Sequence, residues 1–331
     1  MPTVTLLTGD GIGPEICASV LTVFDYLQLP FQFEKQELGE KALLEQGEVL
    51  PERTLANIRK NKVALKAPYK TEVGSGFRSV NVSLRQTFEL YANVRPIITL
   101  VKSSLGYPAL DFVIIRENTE DLYIGQEEVI REDQEVIAIK KITRKASERI
   151  VNYALDYANQ HNKNTVTCVH KANILKVSDG LFLQIFREIS QKYPQLHTED
   201  LIVDNAALQL VLDPQRFEVL VMPNLYGDIL SDLAAGLIGG LGLAPSANIG
   251  TEYAIFEACH GCAPDLAGQD LANPSALLLS ACMMLEYLGF ESSSEKIKAA
   301  LRQALNNQEC TKDLGGTLGT KAFTANLLTY L

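Results

Sequence analysis

Apolar and polar positions in this chain switch repeatedly between two periods. Short unbroken apolar runs at 4–8, 63–66, 112–116, 165–170, 201–203 and 219–222 predict buried strands. Residues 31–34 form a further strand candidate, and 92–100 reads as extended. Between these runs, 14–27, 41–46, 51–60, 79–91, 147–160, about 227–237, 273–287 and 295–306 read as helices. Pro14 stands near the first helical position of the earliest one, where its missing N–H costs nothing. The alternation predicts an α/β fold. One region breaks it. In 121–143, Ile124, Val129, Ile130, Val136, Ile137 and Ile139 are scattered among charges with little helical period. This predicts a two-stranded arm, which is marginal alone. It is either a surface hairpin or an arm that pairs with a second subunit.

The chain has 331 residues, 47% of them hydrophobic, enough for a large core and two domains. Its net charge of −10, without any Lys/Arg-rich block, argues against nucleic-acid and anionic-membrane partners. An anionic substrate would need a local cluster of cations. The six cysteines show no secretory spacing and read as reduced thiols. Cys259 and Cys262 form a lone C-x-x-C, without the second pair a zinc site requires. The N-terminus lacks a basic region followed by an apolar one. The longest apolar stretch, 233–245, is interrupted by glycines and too short for a bilayer. The expected location is bacterial cytoplasm, or the mitochondrial matrix if a transit peptide has been removed.

Three constellations carry candidate chemistry. Asp228 and Asp232 lie four residues apart on a predicted helix and so share one face. They are either ordinary solvated carboxylates or half of a site for a hard divalent cation, which Asp204, after another apolar run, could complete. Arg85, Arg95 and Arg116 form the second set. Arg116 ends a buried strand, and a planar fork there suits a carboxylate. The three are either separate structural ion pairs or a polycarboxylate site. The third is Gly9-Asp10-Gly11-Ile12-Gly13, which follows a strand and opens a helix. Its spacing is G-x-G-x-G rather than G-x-G-x-x-G, and Asp10 would sit where a pyrophosphate belongs. It reads as a tight turn rather than a Rossmann site.

Taken together, from GDGIGPE to DLGGT, the chain resembles the β-decarboxylating dehydrogenase family, which includes isocitrate, homoisocitrate, isopropylmalate and tartrate dehydrogenases. NLYGDILSDLAAGLIGGLG and FEACHGCAPDLAGQDLANP carry the resemblance, and SVNVSLRQTFELYANVRP with RENTEDLYIG makes it most similar to NAD-dependent isocitrate dehydrogenases. It implies a two-domain fold with a non-Rossmann nucleotide site: 1–91 with 239–331 as a large nucleotide-binding domain, and 92–238 as a small substrate and dimerisation domain. The arm 121–143 would lie at the dimer interface. It also implies a homodimer or higher oligomer with shared active sites in an interdomain cleft. This chain is shorter than the long bacterial NADP enzymes of the family, so inter-subunit contacts are not carried over from them in detail.

By resemblance, Arg85, Arg95 and Arg116 bind the carboxylates of a tricarboxylate substrate, and Ser79 and Asn81 recognise its distal arm. Isopropylmalate enzymes carry apolar residues there, whereas homoisocitrate differs from isocitrate by one methylene, a weak discriminator worth ~1–3 kcal/mol. Tyr123 and Lys171 match the catalytic acid–base pair, with Asp204 assisting. Asp228, Asp232 and a neighbouring subunit's Asp204 would hold Mg2+ or Mn2+. Glu257, His260, Gly261, Ala263, Asp265, Leu266 and Asn273 match the adenosine loop, and Lys66 and Thr71 flank the nicotinamide. Asp265 would favour NAD by repelling a 2′-phosphate, although Lys312 lies near a second phosphate-reading position. The implied reaction is oxidative decarboxylation of isocitrate to 2-oxoglutarate and CO2. The alternatives are homoisocitrate or another malate-type acid as substrate, a non-catalytic regulatory subunit, and a redox or binding module built on Cys259 and Cys262.

Overall fold

The computed structural model describes residues 1–70, 79–101 and 106–331. Its strands are β1 (Thr3–Leu7), β2 (Gln32–Gln36), β3 (Val63–Lys66), β4 (Ala92–Ile98), β5 (Asp111–Glu117), β6 (Glu127–Arg131), β7 (Glu135–Ala138), β8 (Thr165–His170), β9 (His197–Ile202), β10 (Val219–Met222), β11 (Pro245–Ile249) and β12 (Ala254–Ala258). Its helices are α1 (Gly13–Tyr26), α2 (Glu40–Gln46), α3 (Glu52–Asn61), α4 (Val80–Thr87), α5 (Arg144–Gln160), α6 (Ser178–Ser190), α7 (Val203–Leu212), α8 (Asn224–Leu237), α9 (Ser275–Tyr287), α10 (Glu291–Asn306) and α11 (Thr320–Leu328).

Ten strands form one sheet, in the order β2-β1-β3-β12-β11-β4-β5-β10-β8-β9. The two ends are parallel, and the centre is antiparallel, because β11 opposes both β12 and β4, and β4 opposes β5. The inner parallel strands β1, β3, β8 and β10 are almost wholly buried, as strands covered on both faces are, while the edge strands β2 and β9 are polar and partly exposed. The centre is different: Asn93, Ser246, Asn248 and Glu257 are buried there. One hydrophobic cluster runs under both ends, from Val4 and Val20 to Ile150, Val169 and Leu220.

The predicted strands and most helices are present within a few residues. β11, β12, α6, α7 and α11 were not anticipated. β11 reads Pro-Ser-Ala-Asn-Ile and shows no apolar run. The helix expected over 79–91 stops at Thr87, because Glu89 takes a left-handed φ of 46°. The helix expected from 227 begins at Asn224, immediately after Pro223. The 121–143 region contains the antiparallel pair β6–β7, whose residues are all exposed, including Val129 and Val136. No helix among the described residues is long and apolar enough to cross a membrane.

The glycine turn before α1 behaves as a tight turn. Gly9 and Gly11 adopt φ of 64° and 58°, and a Cβ on either would overlap a carbonyl oxygen, of Pro68 or Cys262. Two of the turn's amides are already used: Asp10 N–H donates to Pro68 O (3.0 Å) and Ile12 N–H to Cys262 O (2.9 Å). The Asp10 carboxylate accepts from the amides of Glu40 and Lys70 at 3.0 and 2.9 Å.

α8 lies over β5 at Gly227, where any Cβ would overlap the Arg116 side chain. Alanine is ordinarily the better helix former by about 1 kcal/mol. We expect Gly227→Ala to reverse that sign and destabilise by about 1–3 kcal/mol through overpacking. Denaturant unfolding checks this, and an unchanged or raised midpoint refutes it.

The start of α5 carries a titratable cap. Glu120 is buried and accepts from Thr143 N–H (2.9 Å) and Oγ1 (2.8 Å), while Thr143 Oγ1 accepts from Ala146 N–H. Burial pushes the Glu120 carboxyl from 4.5 up to about 7. The folded protein therefore holds this proton more tightly than the unfolded chain. Stability from this group is present below about pH 4.5 and is lost as pH rises through about 7, by at most about 3 kcal/mol. Glu120→Gln removes the effect. Urea unfolding at pH 5 and pH 8 should show the variant gaining on the parent at the higher pH; a constant difference argues otherwise.

Candidate active site

The strand ends near the middle of the sheet, together with the face of α8, bring most of the predicted site residues together. Arg116, at the end of β5, is 1% exposed. Its Nε and Nη2 donate to Asn224 Oδ1 at 2.9 and 2.7 Å, and its Nη1 is ion-paired with Asp228. Arg95 on β4 donates from Nη1 to Asp232 (2.9 Å) and Ser231 Oγ (2.6 Å), and its Nη2 lies 3.6 Å from Asp228. Tyr123 donates its hydroxyl to the other Asp228 oxygen at 2.5 Å, and its ring faces Arg116. The i, i+4 face of α8 therefore reads Asn224, Asp228 and Asp232, with Ser231 beside them. The sequence reading missed Asn224 and Ser231, although the helical spacing from Asp228 would have revealed them.

The electrostatics follow from this packing. Burial, together with repulsion from Arg85 and Arg95, pushes Arg116 down to about 10. Burial alone would raise Asp228, but Arg116, the Tyr123 hydroxyl and Arg95 outweigh it and hold the carboxylate below its ordinary range. Tyr123 is raised, chiefly by burial and also by its bond to Asp228, so near neutrality it carries its proton.

Beside this cluster is a cavity of about 170 Å³, lined by Lys66, Tyr69, Asn81, Arg85, Arg95, Glu257, Cys259, His260 and Gly261 among others. Predicted substrate and cofactor residues thus share one space. Lys66 and Glu257 are paired at 2.5 Å, and Arg85 lies 3.8 Å from Glu257. Three buried polar atoms of lining residues have no partner: Asn81 Oδ1, Arg85 Nε and His260 Nε2. Orphaned groups of this kind are costly unless a ligand meets them. His260 is lowered by burial and so is neutral near pH 7; its Nδ1 lies 3.0 Å from the Gly261 carbonyl, which leaves Nε2 as an acceptor. Ser79 Oγ lies 3.2 Å from the Tyr69 hydroxyl, which also accepts from the Asn81 amide at 3.0 Å. Tyr69 is a third residue the sequence reading missed.

The remaining predicted residues that the structure describes are not among those lining this cavity. Ala263 (φ 38°), Asp265 and Leu266 are on the loop after β12, the last two in a short 3-10 turn. Asn273 donates to Asp313 (2.9 Å) and accepts from the Ser275 amide (2.9 Å). Thr71 lies outside the described residues. Asp204, at the start of α7, is ion-paired with Lys171 after β8, and its side chain is 68% exposed. Hydrogen bonding to Lys171 holds Asp204 below its ordinary range. Neither meets Asp228 or Asp232, and no three acidic, His or Cys side chains among the described residues gather closely enough to hold an ion within one chain. All six cysteines are free thiols.

Comparison with known proteins places this arrangement. The description of the isocitrate/isopropylmalate dehydrogenase family matches residues 3–328. Subunit 2 of the mitochondrial NAD isocitrate dehydrogenase of Schizosaccharomyces pombe is 47% identical over 99% of this chain and 87% of its own. The alpha subunit of the human mitochondrial enzyme is 48% identical over 98% of this chain and 89% of its own. The crystal structure of isocitrate dehydrogenase from Methylococcus capsulatus superposes with a TM-score of 0.96 and 46% identity, covering 100% of this chain and 99% of that one. With the fold, the clustered arginines and the acidic helix face all in agreement with them, this chain is a member of the isocitrate/isopropylmalate dehydrogenase family of oxidoreductases.

Proposed function

We propose that the protein is an NAD-dependent isocitrate dehydrogenase, converting isocitrate to 2-oxoglutarate and CO2 with a divalent cation, as a homodimer or a higher assembly of such pairs. The observation that carries this reading is the convergence of Arg85, Arg95 and Arg116, the first two lining a cavity with Asn81, Lys66 and His260, while Ser79 stands behind its Tyr69. A tricarboxylate would take over guanidiniums that Asp228, Asp232 and Glu257 now neutralise. The names of the relatives support both isocitrate and NAD. The strand order supports the domain reading: β2, β1, β3, β12 and β11 come from 1–91 and 239–331, and the other five from 92–238. The compartment would follow the host, bacterial cytoplasm or mitochondrial matrix.

The donors suit Mg2+ or Mn2+. Asp228 and Asp232 offer hard carboxylate oxygens one helical turn apart, and the partner subunit's Asp204 would complete the set. The exposed apolar residues Leu208, Val211 and Leu212 on α7 and Ile229 on α8 support a second copy packing there. When bound, the cation supplies stabilisation of negative charge developing on substrate oxygens, and NAD supplies the hydride acceptor.

The protein's own residues do the rest. The three arginines bind and orient the carboxylates, with Asn81 and Ser79 at the distal arm. Lys171, from the partner subunit in this reading, takes the proton of the 2-hydroxyl as a neutral amine after releasing its own proton through Asp204. Tyr123, held protonated by burial and by Asp228, returns a proton to the carbon that loses CO2. Asp265 with Leu266 favours ribose hydroxyls over a 2′-phosphate, with Ala263, Gly261 and Asn273 shaping the adenosine loop. Thr71 would stand beside Lys66 at the nicotinamide.

Isocitrate, homoisocitrate, isopropylmalate and tartrate, each assayed with NAD and NADP with and without chelator, should give turnover mainly with isocitrate and NAD, abolished by the chelator. Faster turnover of another acid overturns the substrate, and nucleotide binding without any turnover by the lone chain points to a regulatory subunit. Asp228→Ala with Asp232→Ala should lower kcat/KM by about a thousandfold or more, about 4 kcal/mol; undiminished activity sinks the proposal. Cys259→Ser with Cys262→Ser should leave turnover within about twofold, as expected of thiols with no redox or metal role.

A further inference from the structure

A row of buried polar side chains crosses five adjacent strands beneath the cavity, and the proposed reaction does not account for its middle. In register, Lys66 of β3 pairs with Glu257 of β12, Asn248 of β11 with Asn93 of β4, and Asn93 with Arg116 of β5. Glu257 and Asn248 meet diagonally, since Glu257 is opposite Ser246. All are under 10% exposed. Five polar residues buried in one row of the sheet are expensive unless fully bonded.

Their bonding has a direction. Burial would raise the Glu257 carboxyl, but Lys66 and Arg85 outweigh it and hold it at about 2, so it can only accept. The Asn248 Nδ2 therefore faces Glu257 Oε1 (2.7 Å), with Ile255 O as its second acceptor (3.3 Å). Asn248 Oδ1 then points the other way and accepts from Asn93 Nδ2 (3.0 Å) and Asn118 Nδ2 (2.9 Å). Asn93 Nδ2 also donates to Ser246 Oγ (2.7 Å). That leaves Asn93 Oδ1 to accept from Arg95 Nε at 2.9 Å. Every donor and acceptor of Asn248 is used. Turning its amide over would set an oxygen against a carboxylate and an NH2 against two NH2 groups.

We infer that Glu257, Asn248 and Asn93 form a polarised amide relay that fixes the guanidinium of Arg95 for the substrate carboxylate, with Asn248 and Asn93 as positioning residues. With Nε anchored from below, the terminal nitrogens of Arg95 face Ser231, Asp232 and Asp228. The role of Arg95 rests on the function proposed above; the direction of the relay does not.

The test moves the charge from one end of the relay to the other. In Asn93→Asp, the new carboxylate still accepts from Arg95, but it repels Asn248 Oδ1 and forces that amide to turn against Glu257. In Glu257→Gln, the new amide can donate to a turned Asn248. Calorimetric titration of isocitrate with Mg2+ into the parent, both single variants and the double variant reads the coupling. Asn93→Asp should weaken binding about tenfold or more in the parent and less than about threefold in the Glu257→Gln background, because directly bonded residues couple. An equal loss in both backgrounds overturns the relay. If the parent itself does not bind isocitrate, the functional reading falls, and the relay is read from unfolding midpoints of the same four proteins: non-additive supports it and additive overturns it. If neither aspartate variant folds, Asn248→Ala decides: isocitrate binding about tenfold weaker or more supports the relay, and unchanged binding overturns it.

Discussion

A guanidinium buried at the end of a strand needs an anion, and this need organises the centre of the molecule. Arg116 is almost wholly removed from water, and an unpaired charge there would cost several kcal/mol. The neutralising groups come from one face of α8. Asn224 meets two nitrogens of the fork, Asp228 meets the third, and Gly227 leaves room for the side chain to pass beneath the helix. Each of these α8 residues is therefore constrained by an arginine more than a hundred positions earlier. Arg95 repeats the arrangement one turn along, with Ser231 and Asp232.

The same pairings make the site responsive to ligands. Arg85 and Arg95 stand close enough to Arg116 to lower it, and the carboxylates beside the guanidiniums are themselves candidate cation ligands. A divalent cation would compete for the aspartates, and a polycarboxylate would compete for the arginines. Anion and cation together would satisfy both sets better than either alone. The cluster is thus stable as internal ion pairs, each guanidinium having a carboxylate beside it. Asp204 and Lys171 stand outside it, paired and accessible, which is what a pair offered to another copy requires.

The antiparallel centre of the sheet does two jobs. It joins strands drawn from 1–91 and 239–331 to strands drawn from 92–238, and it carries the polar row that links Lys66 to Arg116. Side chains there are spaced by sheet geometry, so the row is as rigid as the backbone that bears it. The glycine turn before α1 serves the same end from the rim: its close approach to the carbonyls of Pro68 and Cys262 ties together two loops that border the cavity.

The sequence alone determined the α/β class, the buried strands and the carboxylate-bearing helix face, because apolar runs and helical spacing are local properties. Arg116, Asp228 and Asp232 could be named in advance because a strand end and helical spacing expose them, whereas Tyr123 was reached only through the family resemblance. The failed G-x-G-x-x-G spacing likewise revealed a turn whose amides are taken. What stayed hidden depends on register. β11 has no apolar run, since its alternate side chains Ser246 and Asn248 face a polar row while Ala247 packs in the core, so neither the strand nor the partnership of Asn93, Asn248 and Glu257 could be read from composition. The pairing of Arg116 with Asn224 and of Lys66 with Glu257 likewise joins residues that no local pattern connects. Only the tertiary fold, by setting which strand lies beside which and in what register, decided that these charges meet.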